Sequence, residues 1–212
     1  MPDLAFTSAA LTDSAAFIAP GIHTSGVSTV LNALHMVNSA SFISSKIVSA
    51  CPPKTAGSWL SGEGPILLGE FSNANAFNSN IGTWTISSTT NMSYMFAGAS
   101  DFNQNINNWD VSKVINMFAM FQSCPFDQEL DLWDVSSVQN MQQMFYENTS
   151  FNKTLNDWDV SSVTNMRRMF EGSVFNLPLN NWDVSNVTDC QNFSSVTIAW
   201  TLPKPNFTNC TE

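Results

Sequence analysis

Trp158-Asp159-Val160-Ser161-Ser162-Val163-Thr164-Asn165-Met166-Arg167-Arg168-Met169-Phe170 decides the fold, because the chain writes variants of it again at a fixed interval. Its tryptophan recurs as Trp84, Trp109, Trp133, Trp158 and Trp182, at spacings of 25, 24, 25 and 24. Phe77, Phe102, Phe126, Phe151 and Phe175 keep the same spacings ahead of them. Two positions after each Trp stands an aliphatic residue: Ile86, Val111, Val135, Val160 or Val184. Asn-Met pairs begin at Asn91, Asn116, Asn140 and Asn165, and Met-Phe pairs at Met95, Met120, Met144 and Met169. The last unit decays, with Cys190 in a Met place and Ser194 in a Phe place. A register kept this long is the signature of a repeat array.

Each unit carries two periodicities. Trp109 and Val111 alternate with polar neighbours, which predicts a short strand. Val114, Met117, Met120 and Phe121 are spaced for one face of a two-turn helix, with Asp110 or Ser112 as its N-cap. Small and polar residues such as Ala97-Gly98-Ala99-Ser100-Asp101 supply the turn between units and absorb the alternation between 24 and 25 residues. One such unit cannot bury its own apolar face, but stacked units can. The expected fold is therefore a short α/β solenoid, with one short strand and one short helix per repeat. In it, Trp lies over Trp and Met over Met as core rather than as a cofactor site. The Asn-Met asparagines are expected to form a ladder bonded to turn backbone.

The match extends to a known family. The stretch from Trp158 to Phe170, and Phe-Asn-x-x-Ile or Leu ahead of it, as in Phe102-Asn103-Gln104-Asn105-Ile106, resembles the BspA-like surface-protein leucine-rich repeat. The resemblance covers roughly residues 71–195. It implies a right-handed leucine-rich-repeat-like solenoid, α/β with a short strand and a short helix per repeat, found in secreted or surface-attached proteins and associated with adhesion and protein interaction. It brings no catalytic residues and does not say which partner is bound.

Composition narrows the function classes. The 212 residues are 43% hydrophobic, enough for a real core, with 17 acidic against 7 basic residues and a net charge of -10. So few cations leave little to offer a phosphate backbone or an anionic membrane, which argues against nucleic-acid partners. No run reaches the ~18 consecutive apolar residues of a membrane span. Asp3 and Asp13 stand where a signal peptide has its basic region.

Outside the repeats, residues 1–70 are expected to form an N-terminal cap or assembly segment. Val27, Val30, Leu31, Leu34 and Val37 predict an amphipathic helix from Ser25 to about Ser39. It either covers the apolar end of the stack or packs on a neighbouring subunit. Residues 196–212 are expected to form a C-terminal cap folded over the last repeat. Cys210 is placed to reach Cys190, and a bridge there closes a loop of 20 residues, worth about 3 kcal/mol in the chain-entropy model. Cys124 stands where Ala99 and Ser173 stand in other units, so a free buried thiol is its expected state; Cys51 is expected to be free, with a pairing to Cys124 as the alternative.

Asp110, Asp134, Asp159 and Asp183 should stack on one outer line. A column of carboxylates repels itself unless each is hydrogen-bonded or a cation intervenes. Calcium along this ladder is the functional possibility. Bonds from the backbone or from Ser two residues later are the favoured reading, with no metal and no cofactor. Repeated identical carboxylates are poor candidates for a catalytic pair needing two different pKa values. His23 and His35 have no nucleophile motif beside them, so no catalytic site is expected. Among the Asn-x-Ser/Thr sequons, Asn148, Asn152, Asn206 and Asn209 lie in turns or in the tail and are the glycan-acceptor candidates.

The sequence thus predicts a non-enzymatic extracellular or cell-surface module that engages a protein or glycan partner. The alternative is a structural subunit of an extracellular filament, coat or larger complex, held by self-association. Positions that differ between repeats, such as Lys113, Ser137, Ser162 and Asn186, are where specificity is expected.

Overall fold

The structure is a computed structural model and describes residues 69–196 and 200–212. The expected N-terminal helix and cap, with Cys51, lie outside the described residues.

The chain winds into stacked coils of 24–25 residues, but their backbone is neither strand nor helix. In each Asn-Met-x-x-Met-Phe segment, alternate N–H groups cross to the next coil. Met92 donates to the Asn116 carbonyl at 2.9 Å, Tyr94 to Phe118 at 2.8 Å, Phe96 to Met120 at 3.0 Å and Gly98 to Gln122 at 2.8 Å. The intervening N–H groups turn back three residues, as Met95 to Met92 and Ala97 to Tyr94 do. Later coils repeat the pattern, with Met141, Gln143, Phe145 and Glu147 donating to Asn165, Arg167, Met169 and Glu171.

Two residues per segment, four apart, take a left-handed φ. They are Tyr94 and Gly98, Ala119 and Ser123, Gln143 and Glu147, Arg168 and Gly172. This corrects the expected helix. A two-turn helix strands most of its terminal N–H and C=O groups and has little cooperativity to offset them. Handing every second N–H to the neighbouring coil satisfies those groups instead. The apolar spacing that reads as a helix face does become core: Val114, Met117, Met120 and Phe121 are all fully buried.

The expected strand at Trp109–Val111 is corrected as well. Turns close on both sides of it, with Trp109 N–H on the Ile106 carbonyl and Val114 N–H on the Val111 carbonyl. Among the described residues, pairing of β type is confined to single-residue parallel bridges that run Asn91 to Asn116, Asn140, Asn165 and Asp189. The fold is therefore a stack of turn-built coils and not an α/β leucine-rich-repeat solenoid.

Side chains complete the lattice. Phe77, Phe102, Phe126, Phe151 and Phe175 form one column with near-parallel rings 5.7 to 6.2 Å apart. Phe96, Phe121, Phe145 and Phe170 form a second, at 5.4 to 5.8 Å. Across the two columns, rings stack at 3.8 to 4.4 Å, as in Phe96–Phe102 and Phe170–Phe175. Four indole N–H groups donate to the preceding coil: Trp109 to the Ile81 carbonyl, Trp133 to Ile106, Trp158 to Leu130 and Trp182 to Leu155. The residue after each column Phe adds a polar rung. Asn78 accepts the Asn103 N–H, Asn103 that of Asp127, Asp127 that of Asn152, and Asn152 that of Asn176.

The tail keeps this register. Trp200 takes the next place in the Phe175 column, 4.9 Å from that ring, and Asn176 accepts the Thr201 N–H at 2.8 Å. Leu179 N–H bonds the Pro203 carbonyl, and the Asn209 amide bonds the Ser185 carbonyl as Asn186 bonds Ser161. A disulfide then joins Cys210 to Cys190, with Cα atoms 5.8 Å apart. Cys124 is free and buried, its thiol near the Ala99 and Phe102 carbonyls, and burial pushes its pKa up to about 12.

Coil contact is tight enough to exclude a single methyl group. A Cβ at Gly82 would stand 2.5 Å from the backbone oxygen of Asn105 in the next coil. At Gly98, φ is +67° and a Cβ would stand 2.5 Å from the Asn73 side-chain oxygen. Gly98→Ala is expected to cost about 1–2 kcal/mol from its left-handed φ. Gly82→Ala should cost more, because its wall is backbone. Urea unfolding checks both, and a neutral Gly82→Ala would disprove the close approach.

Candidate functional site

Two outward surfaces carry polar chemistry. The first is the aspartate line. Asp110, Asp134 and Asp159 each accept both the N–H and the hydroxyl of the Ser two residues on, with hydroxyl contacts of 2.6 Å, and Asp183 accepts the Ser185 N–H at 3.0 Å. These are Asx turns, and the serine partner answers the repulsion that a carboxylate column raises. Among the described residues, no three His, Cys, Asp or Glu side chains stand together as a metal-holding group.

The serine bonds have a titration consequence. Hydroxyl and then backbone hydrogen bonds from Ser112, Ser161 and Ser185 lower the pKa of Asp110, Asp159 and Asp183. Such groups ionise more readily folded than unfolded. The stability they add is present above the ordinary Asp value of about 3.9 and is lost as pH falls through the folded values. Ser161→Ala should move the Asp159 pKa back up toward the ordinary range in an NMR pH titration. An unmoved Asp159 would remove the serine as the cause.

The sequons separate by burial. Asn148 is 0% exposed, its amide on the Phe126 carbonyl and its oxygen taking the Ser150 and Phe151 N–H groups. That corrects its place as a glycan acceptor, because a glycan there has no way out of the core. Asn209 is exposed, but its amide nitrogen is engaged on Ser185. Asn152 and Asn206 are exposed; the Asn152 oxygen is a rung of the polar ladder.

The second surface is the outer side of the turn ribbons, where x positions of Asn-Met-x-x-Met-Phe and residues after Phe come partly to the surface, although Ser93, Ala97 and Ala119 are buried. It runs coil by coil through Tyr94, Phe118 with Gln122, Gln142 with Tyr146, and Arg167 with Glu171. Tyr94 is 41% exposed and meets Phe118 edge to face at 4.7 Å and 77°. Further along, the Ser123 hydroxyl donates to Glu147, and Arg168 pairs with Glu171 at 3.1 Å. A hydrogen bond to the Glu147 carboxylate raises the Tyr146 pKa. The surface is therefore neutral and aromatic near Tyr94 and charged near Arg168.

Sequence reasoning missed this strip, because a helical reading makes the x positions an ordinary solvent face. The signal was present all the same: Phe118, Gln142, Arg167 and Gln191 differ at one position, while Asp-Val-Ser recurs unchanged at Asp110, Asp134, Asp159 and Asp183. Lys113, Ser162 and Asn186 are exposed and Ser137 half-buried, all within those aspartate turns.

No curated protein and no solved structure matches the chain. A family profile matches twice in succession, over residues 65–125 and 122–200, across the repeats and the start of the tail. The chain belongs to the family described as Mycoplasma protein of unknown function, DUF285.

Proposed function

We propose that this protein is a non-enzymatic interaction module of the BspA-like kind, displayed outside the cell, which holds a protein or glycan partner on its turn-ribbon strip. The observation that carries the reading is the contrast between positions. Core residues repeat from coil to coil and Asx-turn residues in four of them, whereas the strip changes in size, aromaticity or charge from one coil to the next. A scaffold of rigid repeats with a varied exposed face is the design of solenoid binders.

The test is binding of the full chain to an array of extracellular-matrix proteins and glycans. The Phe118→Ser/Tyr146→Ser double variant should weaken capture at least tenfold with the melting temperature held within a few degrees. Lys113→Ala with Ser162→Ala, on the aspartate turns, should not. Equal binding by the strip variant, or capture of nothing on the array, would overturn the proposal.

A second reading, a structural subunit of an extracellular filament or coat, has one observation in its favour. Leu132 is 65% exposed where the other coils place Thr83, Asn108, Asp157 and Asn181. Concentration-dependent assembly in sedimentation, abolished by Leu132→Asp, would favour it; a monomer at all concentrations would remove it.

A further inference from the structure

A shallow groove crosses the neutral end of the strip, between the Tyr94 ring, the Asn73 amide and the Gln122 and Ser123 side chains. Its floor is Gly98, where the lack of a Cβ lets the Asn73 side chain lie across the backbone. We infer that this groove is a subsite for a neutral saccharide. The inference rests on the interaction-module reading and narrows it to one ligand class.

The chemistry of the lining selects the class. No charged residue lines the groove, and Glu147, bonded to the Ser123 hydroxyl, lies outside the lining, so an anionic group finds no cation there. The Gln122 amide carries an acceptor oxygen and two donor hydrogens, and Asn73, whose amide also donates to the Ser72 hydroxyl at 3.2 Å, adds a second amide beside it, which suits vicinal hydroxyls that donate and accept together. The apolar C–H face of a pyranose ring needs an aromatic surface, and Tyr94 supplies one. That ring is held rather than free, because Phe118 braces it edge to face at 4.7 Å and its backbone N–H is tied to the Phe118 carbonyl. A rigid, half-exposed Tyr beside Asn, Gln, Ser and Gly combines large contact area with adaptable hydrogen bonding at low entropic cost. Among the described residues no other coil reproduces the set: at the Tyr94 position stand Gly69, Ala119, Gln143, Arg168 and Asn192.

The experiment probes a printed array of neutral and sialylated oligosaccharides with the full chain, followed by calorimetry on the best neutral hit. Expected is binding to neutral glycans over their sialylated counterparts, weakened at least tenfold by Tyr94→Ala and by Gln122→Ala. Tyr94→Phe should retain most of it, because the ring face is kept. Asp101→Asn, exposed and outside the groove, should bind as the parent does. If Tyr94→Ala fails to fold, Gln122→Ala alone decides. Preference for sialylated glycans, or neutral binding indifferent to Gln122→Ala, would overturn the inference. Capture of matrix proteins through Phe118 and Tyr146 without any glycan binding would overturn it too, while leaving the interaction module standing.

Discussion

Phe121→Ala should be the most damaging single substitution in the repeat stack, costing about 3–5 kcal/mol. Phe121 is fully buried and its ring touches four others: Phe126 at 4.2 Å, Phe145 at 5.6 Å, Phe96 at 5.8 Å and Trp133 at 6.3 Å. Removing it takes away burial and ring contacts on both sides of one coil, and the backbone cannot close the gap. Met117, Ala119, Phe121 and Ser123 N–H groups are bonded to the next coil, and moving them to fill a cavity breaks that row. The loss also has a topological effect. In a stack, stability is a sum of coil terms and nearest-neighbour interfaces, so weakening a central interface divides the array. Urea unfolding should show a lower midpoint and a shallower slope as the two sides uncouple. Phe121→Leu, which refills most of the space, should recover more than half of the loss and the parent slope. A Phe121→Ala protein within 1 kcal/mol of the parent would mean that the aromatic columns are not what binds coil to coil.

Much of this packing is readable from the spacing of residues alone, and the reason is physical. Burial in a stack demands the same side chain at the same place in every coil, so Trp133, Val135, Met141, Met144 and Phe145 reveal the core without any knowledge of backbone shape. Backbone shape is another matter. Apolar residues at i, i+3, i+6 and i+7 meet the needs of a helix face, and equally those of a ribbon that turns back every third residue. The pattern reports which side chains go inside and not which carbonyl each N–H finds. The deciding fact is the left-handed φ at Tyr94, Gln143 and Arg168, none of them glycine. Residue type gives no warning of it there, because the bonds to adjacent coils, rather than local preference, hold those angles. The same non-local bonding hides the indole N–H on the preceding coil's carbonyl, 27 or 28 residues back. The aspartate turns are the opposite case. Asp159 and Ser161 are two residues apart and complete their hydrogen bonds between themselves, so sequence suffices. The Tyr94 groove needs residues from three coils, Asn73, Tyr94 and Gln122, and no single unit contains it.

Reducing the Cys190–Cys210 disulfide should release the tail before the stack melts, with a loss of about 3 kcal/mol for a closed loop of this length. The bridge spans 20 residues. Without it the tail still has Trp200 edge-on to Phe170 and Phe175, Phe207 against Phe193, and Lys204 on the Ser194 hydroxyl at 2.6 Å. These contacts are fewer than those between inner coils. Trp200 is only half-buried where the Phe rings of its column are fully so, and Lys204 and Glu212 form an exposed pair of small value. The tail should therefore be the least stable unit once its covalent tie is cut. Hydrogen exchange under reducing conditions should show Thr201 and Leu202 N–H groups, which rest on Asn176, losing protection first. Phe145 and Glu147 N–H groups, bonded between inner coils, should stay slow. Cys210→Ser should reproduce the reduced behaviour without a reductant. If reduction lowers protection evenly along the chain instead, the tail and the coils unfold as one unit, and the bridge stabilises the whole stack rather than fastening its end.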